Sequence, residues 1–411
     1  MAGRTHYSAF FLAAISMAPA ARAVESWAMW QGNAAHTGYV PDTLLFAERQ
    51  FAWSKFARPA AISGMAVSST AVFTTDSPTY QYSNNQPVTL GAQSLADGGT
   101  LWAVSFPAGT VISAPAYADG KLFFVESLYQ SYGIPDIRFL DALDAVTGDP
   151  VFRVSLELPG TMFDSPTVGG GHVYFQSQVD PTPVGLVSTT AYTFGSASED
   201  TGALEWQSQT AAGDGTAPTL VDGHLYGCTT SLNILNAATG ETTASIANPD
   251  NAVDLCTGRA PAMAGNLAYF NQGTALVAVD LTLGQIAWSV DHNAFGQIST
   301  DGSQLFYLSA GALTVRDAVT GTLLWGWEAP QTAIATYESL SDNLIVTKTH
   351  VIATNGAQLY FINRTNHFLE GGFKVAGLIA YAAGKVVVAD AQGIVTAFDV
   401  PADEMFSDGF E

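Results

Sequence analysis

The sequence predicts an all-β protein: a single eight-bladed β-propeller of four-stranded antiparallel blades, closed by an N-terminal strand that completes the last blade. Three observations predict it. A turn motif returns eight times along the 411 residues, a hairpin half-motif precedes each copy, and each end of the chain holds the part of one blade that the other end lacks. Composition agrees: 48% hydrophobic residues, 12% charged residues and 39 glycines suit strands and tight turns rather than a disordered or coiled-coil chain. Repeat arrays of this length form one body, so the length does not demand two domains.

The turn motif reads Ala-x-Asp-x-x-x-Gly-x-x-x-Trp with substitutions. Its clearest copies are Ala142-x-Asp144 to Gly148 and Phe152, and Ala278-x-Asp280 to Gly284 and Trp288. Looser copies run from Ser94 to Gly98 and Trp102, from Ser198 to Gly202 and Trp206, from Asp317 to Gly321 and Trp325, and from Asn236 to Gly240. A degenerate copy centres on Asn363, and a truncated one ends at Asp399. These eight positions lie 36 to 54 residues apart, the length that four short strands and their turns require. In each copy the Asp, Ser or Asn accepts backbone hydrogen bonds and the glycine supplies a positive φ, which closes a tight hairpin.

The half-motif gives two apolar runs around a polar glycine turn, as in Ser113-Ala-Pro115 to Phe123 and Thr216-Ala-Pro218 to Tyr226. Such a pattern is a hairpin feeding the motif strand. Proline opens the first strand, where a missing ladder donor costs least. The last copy stops at Asp399 without a Trp-bearing strand, whereas Phe51-Ala-Trp53-Ser-Lys-Phe56 is a Trp-bearing strand with no turn before it. Joining the two pairs edges that would otherwise stay open, so residues 51–56 are expected to form the outer strand of the eighth blade.

Residues 1–23 read as a secretory signal: Arg4, the apolar run Ala9 to Ala18, and Ala21-Arg22-Ala23 as a small-x-small cleavage site. The propeller is then expected over 24–400, with a tail at 401–411. No later stretch offers about 18 uninterrupted apolar residues, so no transmembrane segment is expected. Removing Arg4 and Arg22 and no acid takes the formal charge from −22 to −24. That balance opposes a nucleic-acid partner or an anionic membrane surface, both of which call for a basic patch.

The recurring motif resembles the tryptophan-docking motif of quinoprotein alcohol dehydrogenases and of the propeller-shaped outer-membrane assembly factors of Gram-negative bacteria. The segment Trp30-Gln-Gly32-Asn-Ala-Ala-His36-Thr-Gly38-Tyr resembles the start of many PQQ-like repeat proteins. The resemblance covers roughly residues 27 to 400. It implies that Trp53, Trp102, Phe152, Trp206, Trp288 and Trp325 pack between adjacent blades, while Ala244 and Gly371 stand where the family has its tryptophan.

Quinone-dependent relatives use adjacent cysteines above the cofactor and a calcium held by acidic and amide groups. Here Cys228 and Cys256 are not adjacent, so neither PQQ with calcium nor any other cofactor is expected. A haem motif, a nucleophile elbow, a zinc-protease helix and a phosphate loop are equally missing from the sequence. The two cysteines lie on one face in this topology and suit a disulfide between neighbouring blades in an oxidising compartment, with free thiols or a metal pair as alternatives. His172, His224 and His350 share one repeat position, which an exposed polar turn accounts for.

For a ligand the family architecture points to the face bearing the loops between blades, with Asp164, Asp214, Asp250 and Asp254 and the insertions Ser77 to Pro87, Ser127 to Asp136 and Gln178 to Thr190. The functional expectation is a periplasmic or secreted, monomeric, non-catalytic scaffold for a protein, peptide or glycan. A PQQ-dependent oxidoreductase and an outer-membrane assembly helper are the alternatives.

Overall fold

Each motif copy folds as a self-capped turn. Asp144 Oδ1 accepts the Val146 and Thr147 amides at 2.9 and 2.8 Å, and the Gly148 amide returns to the Asp144 carbonyl at 2.8 Å. Asp280, Asp317, Asn236 and Asn363 make the same paired side-chain contacts. The computed structural model describes residues 26–76, 86–128, 137–156, 165–179, 191–208, 217–228, 231–247, 260–272, 275–291, 294–330, 340 and 343–403.

Eight antiparallel sheets follow one another along the chain, each with four strands a to d from first to last. Blade 1 comprises Gly64–Val67, Ala71–Thr75, Val88–Ser94 and Thr100–Phe106. In blades 2 to 7 the a strands are Ala116–Ala118, Thr167–Gly169, Thr219–Val221, Ala262–Ala264, Ala294–Thr300 and Leu344–Thr347. The matching d strands are Pro150–Ser155, Leu204–Gln207, Thr242–Ala247, Gln285–Asp291, Leu323–Trp327 and Leu369–Phe373. First strands of neighbouring blades touch, which puts them around the axis and the d strands on the rim.

Blade 8 closes the ring as the sequence predicts. Its own strands are Leu378–Ala382, Lys385–Ala389 and Ile394–Asp399, and its fourth is Gln50–Phe56, with Trp53 opposite Ala397. Two details differ from four plain strands. Blade 2 has an extra inner strand, Thr110–Ile112, and Tyr39–Val40 adds a fifth strand parallel to Leu344–Thr347 of blade 7.

The core lies between blades and is held by a contact that repeats around the rim. A register shift interrupts the c–d pairing just after the docking row, for example between Ala142 and Leu143 and between Ala278 and Val279. Such bulges re-aim the outer strand. A Cβ placed on Gly148 would stand 2.7 Å from the Trp102 indole of the blade before, so at φ +76 only glycine fits beneath the ring. Gly98 under Trp53, Gly202 under Phe152, Gly240 under Trp206 and Gly321 under Trp288 repeat this approach. Where an indole caps a glycine, its N–H donates to the carbonyl after the motif residue: Trp53 to Leu95 at 2.9 Å, Trp102 to Ala145 at 3.1 Å, Trp206 to Ala237 at 3.0 Å and Trp288 to Ala318 at 3.1 Å.

Two positions depart from the pattern. Trp325 meets His367, at φ +64, where the other turns have glycine, and the rings stack 4.4 Å apart. At Gly371, which replaces a tryptophan, Phe46 and the Arg49 guanidinium close in from the short 3-10 turn Phe46–Glu48. Phe46 also lies 5.4 Å from His350, whose Nε2–H donates to the Glu370 carboxylate at 2.8 Å and which is only 3% exposed. The expectation of an exposed turn at His350 is therefore corrected: the N-terminal segment covers it.

Truncating Trp102 to Ala removes the ring from Gly148 and leaves the Ala145 carbonyl without its donor. An expected loss of about 3–5 kcal/mol is read from urea unfolding against the unchanged chain.

Candidate functional site

The a strands begin, and the b strands end, on one face of the ring, and the segments joining blade to blade leave from that face. Asp164, Asp214, Asp250 and Asp254, together with Cys256 and most of the three long insertions, lie outside the described residues. Cys228 ends a b strand of blade 4 and is fully buried. At the centre of the same face the structure reveals an arrangement that the motif reading missed.

Residues 27–43 run through the axial channel and bond to one blade after another. Trp27 exchanges two backbone hydrogen bonds with Val67 of blade 1 at 2.8 and 2.9 Å. The amides of Tyr117, Leu220, Met263, Thr300 and Val346, from blades 2, 4, 5, 6 and 7, donate to the carbonyls of Ala28, Ala34, Ala35, Thr37 and Gly38 at 2.7–3.2 Å. Met29 packs into the cluster that holds Val168 of blade 3, and Trp27 into the one that holds Ile379 of blade 8. The free inward edges of the first strands are thus answered by one strip of chain. Turning within so narrow a space takes unusual backbone: Gln31, Gly32, His36 and Gly38 all have positive φ. At Gly38 a Cβ would run into Ser299 Oγ.

His36 is the pivot of this strip. Its ring is completely buried, with Nδ1 2.8 Å from the Trp30 carbonyl and Nε2 3.1 Å from the Pro218 carbonyl. Burial holds its pKa below the ordinary histidine value, against the opposing pull of the two carbonyls. Pro218 also accepts Thr167 Oγ1 at 2.5 Å, and Pro261 accepts Thr219 Oγ1 at 2.7 Å, so the prolines before the a strands link neighbouring blades.

Beside the strip lies a small recess walled by Trp27, Trp30, Gln31, Ser63, Met65 and Asn343. The Ile379 amide donates to Asn343 Oδ1 at 3.1 Å, and Asn343 Nδ2 donates to Gln31 Oε1 at 3.0 Å. A backbone N–H can only donate, so it fixes both amide orientations and leaves Gln31 Nε2 facing the recess, buried and without a hydrogen-bond partner. The walls carry two indoles and neutral amide and hydroxyl groups. They offer no cation for an acidic quinone and no carboxylate for calcium, so this recess does not match what PQQ with calcium requires. Among the described residues no group of three His, Cys, Asp or Glu could hold a metal ion, and no helix is long and apolar enough to cross a membrane.

A second unforeseen feature lies between blades 1 and 2. Glu126 and Asp141 are buried side by side, with Arg153 Nη2 2.8 Å from Glu126 and its Nε 3.8 Å from Asp141. Both carboxyls are raised: burial is the largest cause, and for Asp141, pushed up to about 8, the Glu126 charge adds to it. The sequence signal is faint, a single acid in each of two apolar runs, FFVES and RFLDAL.

The geometry defines a closed eight-bladed ring with a filled axis and a row of indole-on-glycine contacts. The chain belongs to the PQQ-like β-propeller family: the model of the family described as outer membrane protein assembly factor BamB matches residues 84–190 and 184–305, more than half of the chain. Among solved structures, BamB from Moraxella catarrhalis has a TM-score of 0.61 at 15% identity, covering 85% of this chain and 99% of that one. The quinohemoprotein alcohol dehydrogenase from Comamonas testosteroni has a TM-score of 0.67 at 12% identity, covering 92% and 81%. Sqt1 from Saccharomyces cerevisiae reaches 0.61 at 10% identity, covering 85% and 99%. Identities this low speak for the fold alone. No curated protein matches the sequence.

Two predictions follow from the buried polar groups. Replacing His36 by Ala strips both carbonyl contacts, at a cost of about 1–3 kcal/mol. Hydrogen exchange should then speed up at the Leu220 and Met263 amides, which bond to the strip, before it does so at the rim. For Asp141 the folded pKa lies above the unfolded value of about 3.9. Its contribution to stability is complete below that value and fades as pH rises through about 8. Urea unfolding should give falling stability between pH 5 and 8, at a slope of up to about 1.4 kcal/mol per unit, and Asp141→Asn should flatten it.

Proposed function

We propose that the protein is an exported, non-catalytic scaffold whose ring presents its loop-bearing face to a protein, peptide or glycan in the cell envelope or outside the cell. The observation that carries this reading is the filled axis. Residues 27–43 bond to the first strands of blades 1, 2, 4, 5, 6 and 7, and the recess that the described residues form beside them is small and neutral. A rigid disc of this kind positions the segments that join its blades, and recognition on such scaffolds falls to those segments. Cys228 and Cys256, the two cysteines of the chain, are proposed to pair between blades 4 and 5, closing a loop of about 27 residues and adding roughly 3 kcal/mol. The burial of Cys228 and the absence of a free thiol among the described residues support the pairing.

The family match favours one narrower version, an assembly helper at the outer membrane. The quinone-dependent alternative is disfavoured by the chemistry of the recess. The test has two arms. Purified protein supplied with PQQ and calcium should turn over neither alcohols nor aldoses, and turnover would overturn the scaffold reading. Cross-linking in the native envelope fraction should capture a defined partner through the loop-bearing face, and shortening the 180–190 segment should weaken the capture. Cross-links confined to the opposite face would equally count against it.

A further inference from the structure

The rim contacts share one register row across strands b, c and d. From the rim inward it reads Trp102, Ala92, Phe73 in blade 1 and Phe152, Ala142, Phe123 in blade 2. It continues as Trp206, Ser196, Tyr174 in blade 3 and Trp288, Ala278, Tyr269 in blade 5. In these blades the outer ring crosses a small central residue and comes within 6.1–6.2 Å of the inner aromatic ring. It then caps the next blade's glycine.

Blade 4 breaks the row. It reads Ala244, Ile234, Tyr226: the inner aromatic is present and the rim ring is missing. The glycine that such a ring would cap, Gly284 at φ +62, has no atom of the described residues within 4 Å of its Cβ position. The Leu281 carbonyl stands where the other blades accept the indole N–H, and Leu281 and Ile286 floor the gap. At the other substituted position, Gly371, Phe46 of the same chain fills the equivalent space, so the fold does supply an aromatic where one is within reach.

Two further observations say what would sit there. The strand Thr242–Ala247 is an exposed edge without a charge or proline, a property it shares with the rim strands of blades 1 and 6, whereas the edges of blades 2 and 3 carry Pro150, Arg153 and Glu205. Unblunted edges accept added strands. The sequence of these blades is acidic: between Arg153 and Arg316 the chain has one basic residue, Arg259, against fourteen carboxylates. Opposite charge steers and orients a partner.

We propose that the rim between blades 4 and 5 docks an extended, positively charged segment of a partner protein. That segment pairs with Thr242–Ala247 and places a tryptophan ring over Ile234 and against Gly284, its N–H on the Leu281 carbonyl. Val315 beneath Trp325 in blade 6 is the precedent for a branched residue under the ring. This inference deepens the scaffold reading by naming the chemistry of a partner, and rests on it only in holding that the ring binds protein.

The probe is a labelled synthetic nonapeptide that alternates lysine with threonine and valine around a central tryptophan, followed by fluorescence anisotropy. Saturable binding to the full chain is expected. It should weaken at least tenfold when the peptide tryptophan is replaced by alanine, and weaken further with added salt. In Ala244→Trp the chain's own indole fills the gap, so the melting temperature should rise and peptide binding fall at least tenfold. Ala244→Lys, a surface change that leaves packing alone, should also cost tenfold. Equal binding to all three chains, or indifference to the peptide tryptophan, overturns the inference and leaves the loop-face reading standing. A lower melting temperature in Ala244→Trp, with a solvent-exposed emission spectrum for the added indole, overturns it as well.

Discussion

The pairing of Gln50–Phe56 with Ile394–Asp399 is the contact on which the rest of this structure depends. A ring of sheets closes only if its last sheet obtains a fourth strand, and here that strand comes from the opposite end of the chain. The requirement fixes more than one blade. Residues just before Gln50 must reach the rim of blade 8 from the axis, and they do so along the base of blades 7 and 8. On that path Leu44 bridges Ala402, the Leu45 amide donates to the Pro401 carbonyl at 2.8 Å, and Phe46 settles against Gly371. Closure, axial filling and replacement of one missing tryptophan are thus consequences of a single chain route.

That route explains why the axial segment gains so much from so little sequence. The first-strand amides are met by its own main-chain carbonyls, which any residue supplies. What the sequence must add is backbone freedom at Gly32 and Gly38, and a buried imidazole at His36 whose two ring nitrogens lie against the Trp30 and Pro218 carbonyls. The first-strand amides of blades 4 to 7 are answered without any contribution from blade side chains. Each blade can therefore keep its side chains for the contacts between blades.

The same distinction governs what could be read from the sequence. The blades were legible because their chemistry is local and recurs: Asp280 or Asp317 capping its own turn, a glycine four residues on, a tryptophan four beyond that. Closure was legible because Asp399 lacked the strand that Trp53 carries. The axial plug was not, since a segment that bonds through its carbonyls has no periodicity to betray it; the glycines at 32 and 38 and a histidine between them were the available signal. Nor was the Glu126–Asp141 pair, whose members are 15 residues apart in sequence and adjacent only once two strands pair. For the acids assigned to the ligand face no judgement arises, because they fall outside the described residues.

The blades that lost their tryptophan show how a repeat tolerates such a change. Where a large rim residue caps a glycine the central residue is small, as with Trp102 over Ala92 and Trp288 over Ala278; Trp325, which meets His367 instead, stands over Val315. Where it shrinks the centre grows: Ala244 stands over Ile234 and Gly371 over Phe361. Interiors are close-packed, so the volume given up in one strand has to be made up in its neighbour or left as a costly void. The exchange is incomplete in both blades, since a branched or aromatic residue rooted in the middle strand cannot reach the next blade's turn. At Gly371 the N-terminal segment covers the remainder, and at Gly284 nothing in the described chain does. The register that builds every blade boundary thereby leaves one of them, among the described residues, without a ring over its glycine.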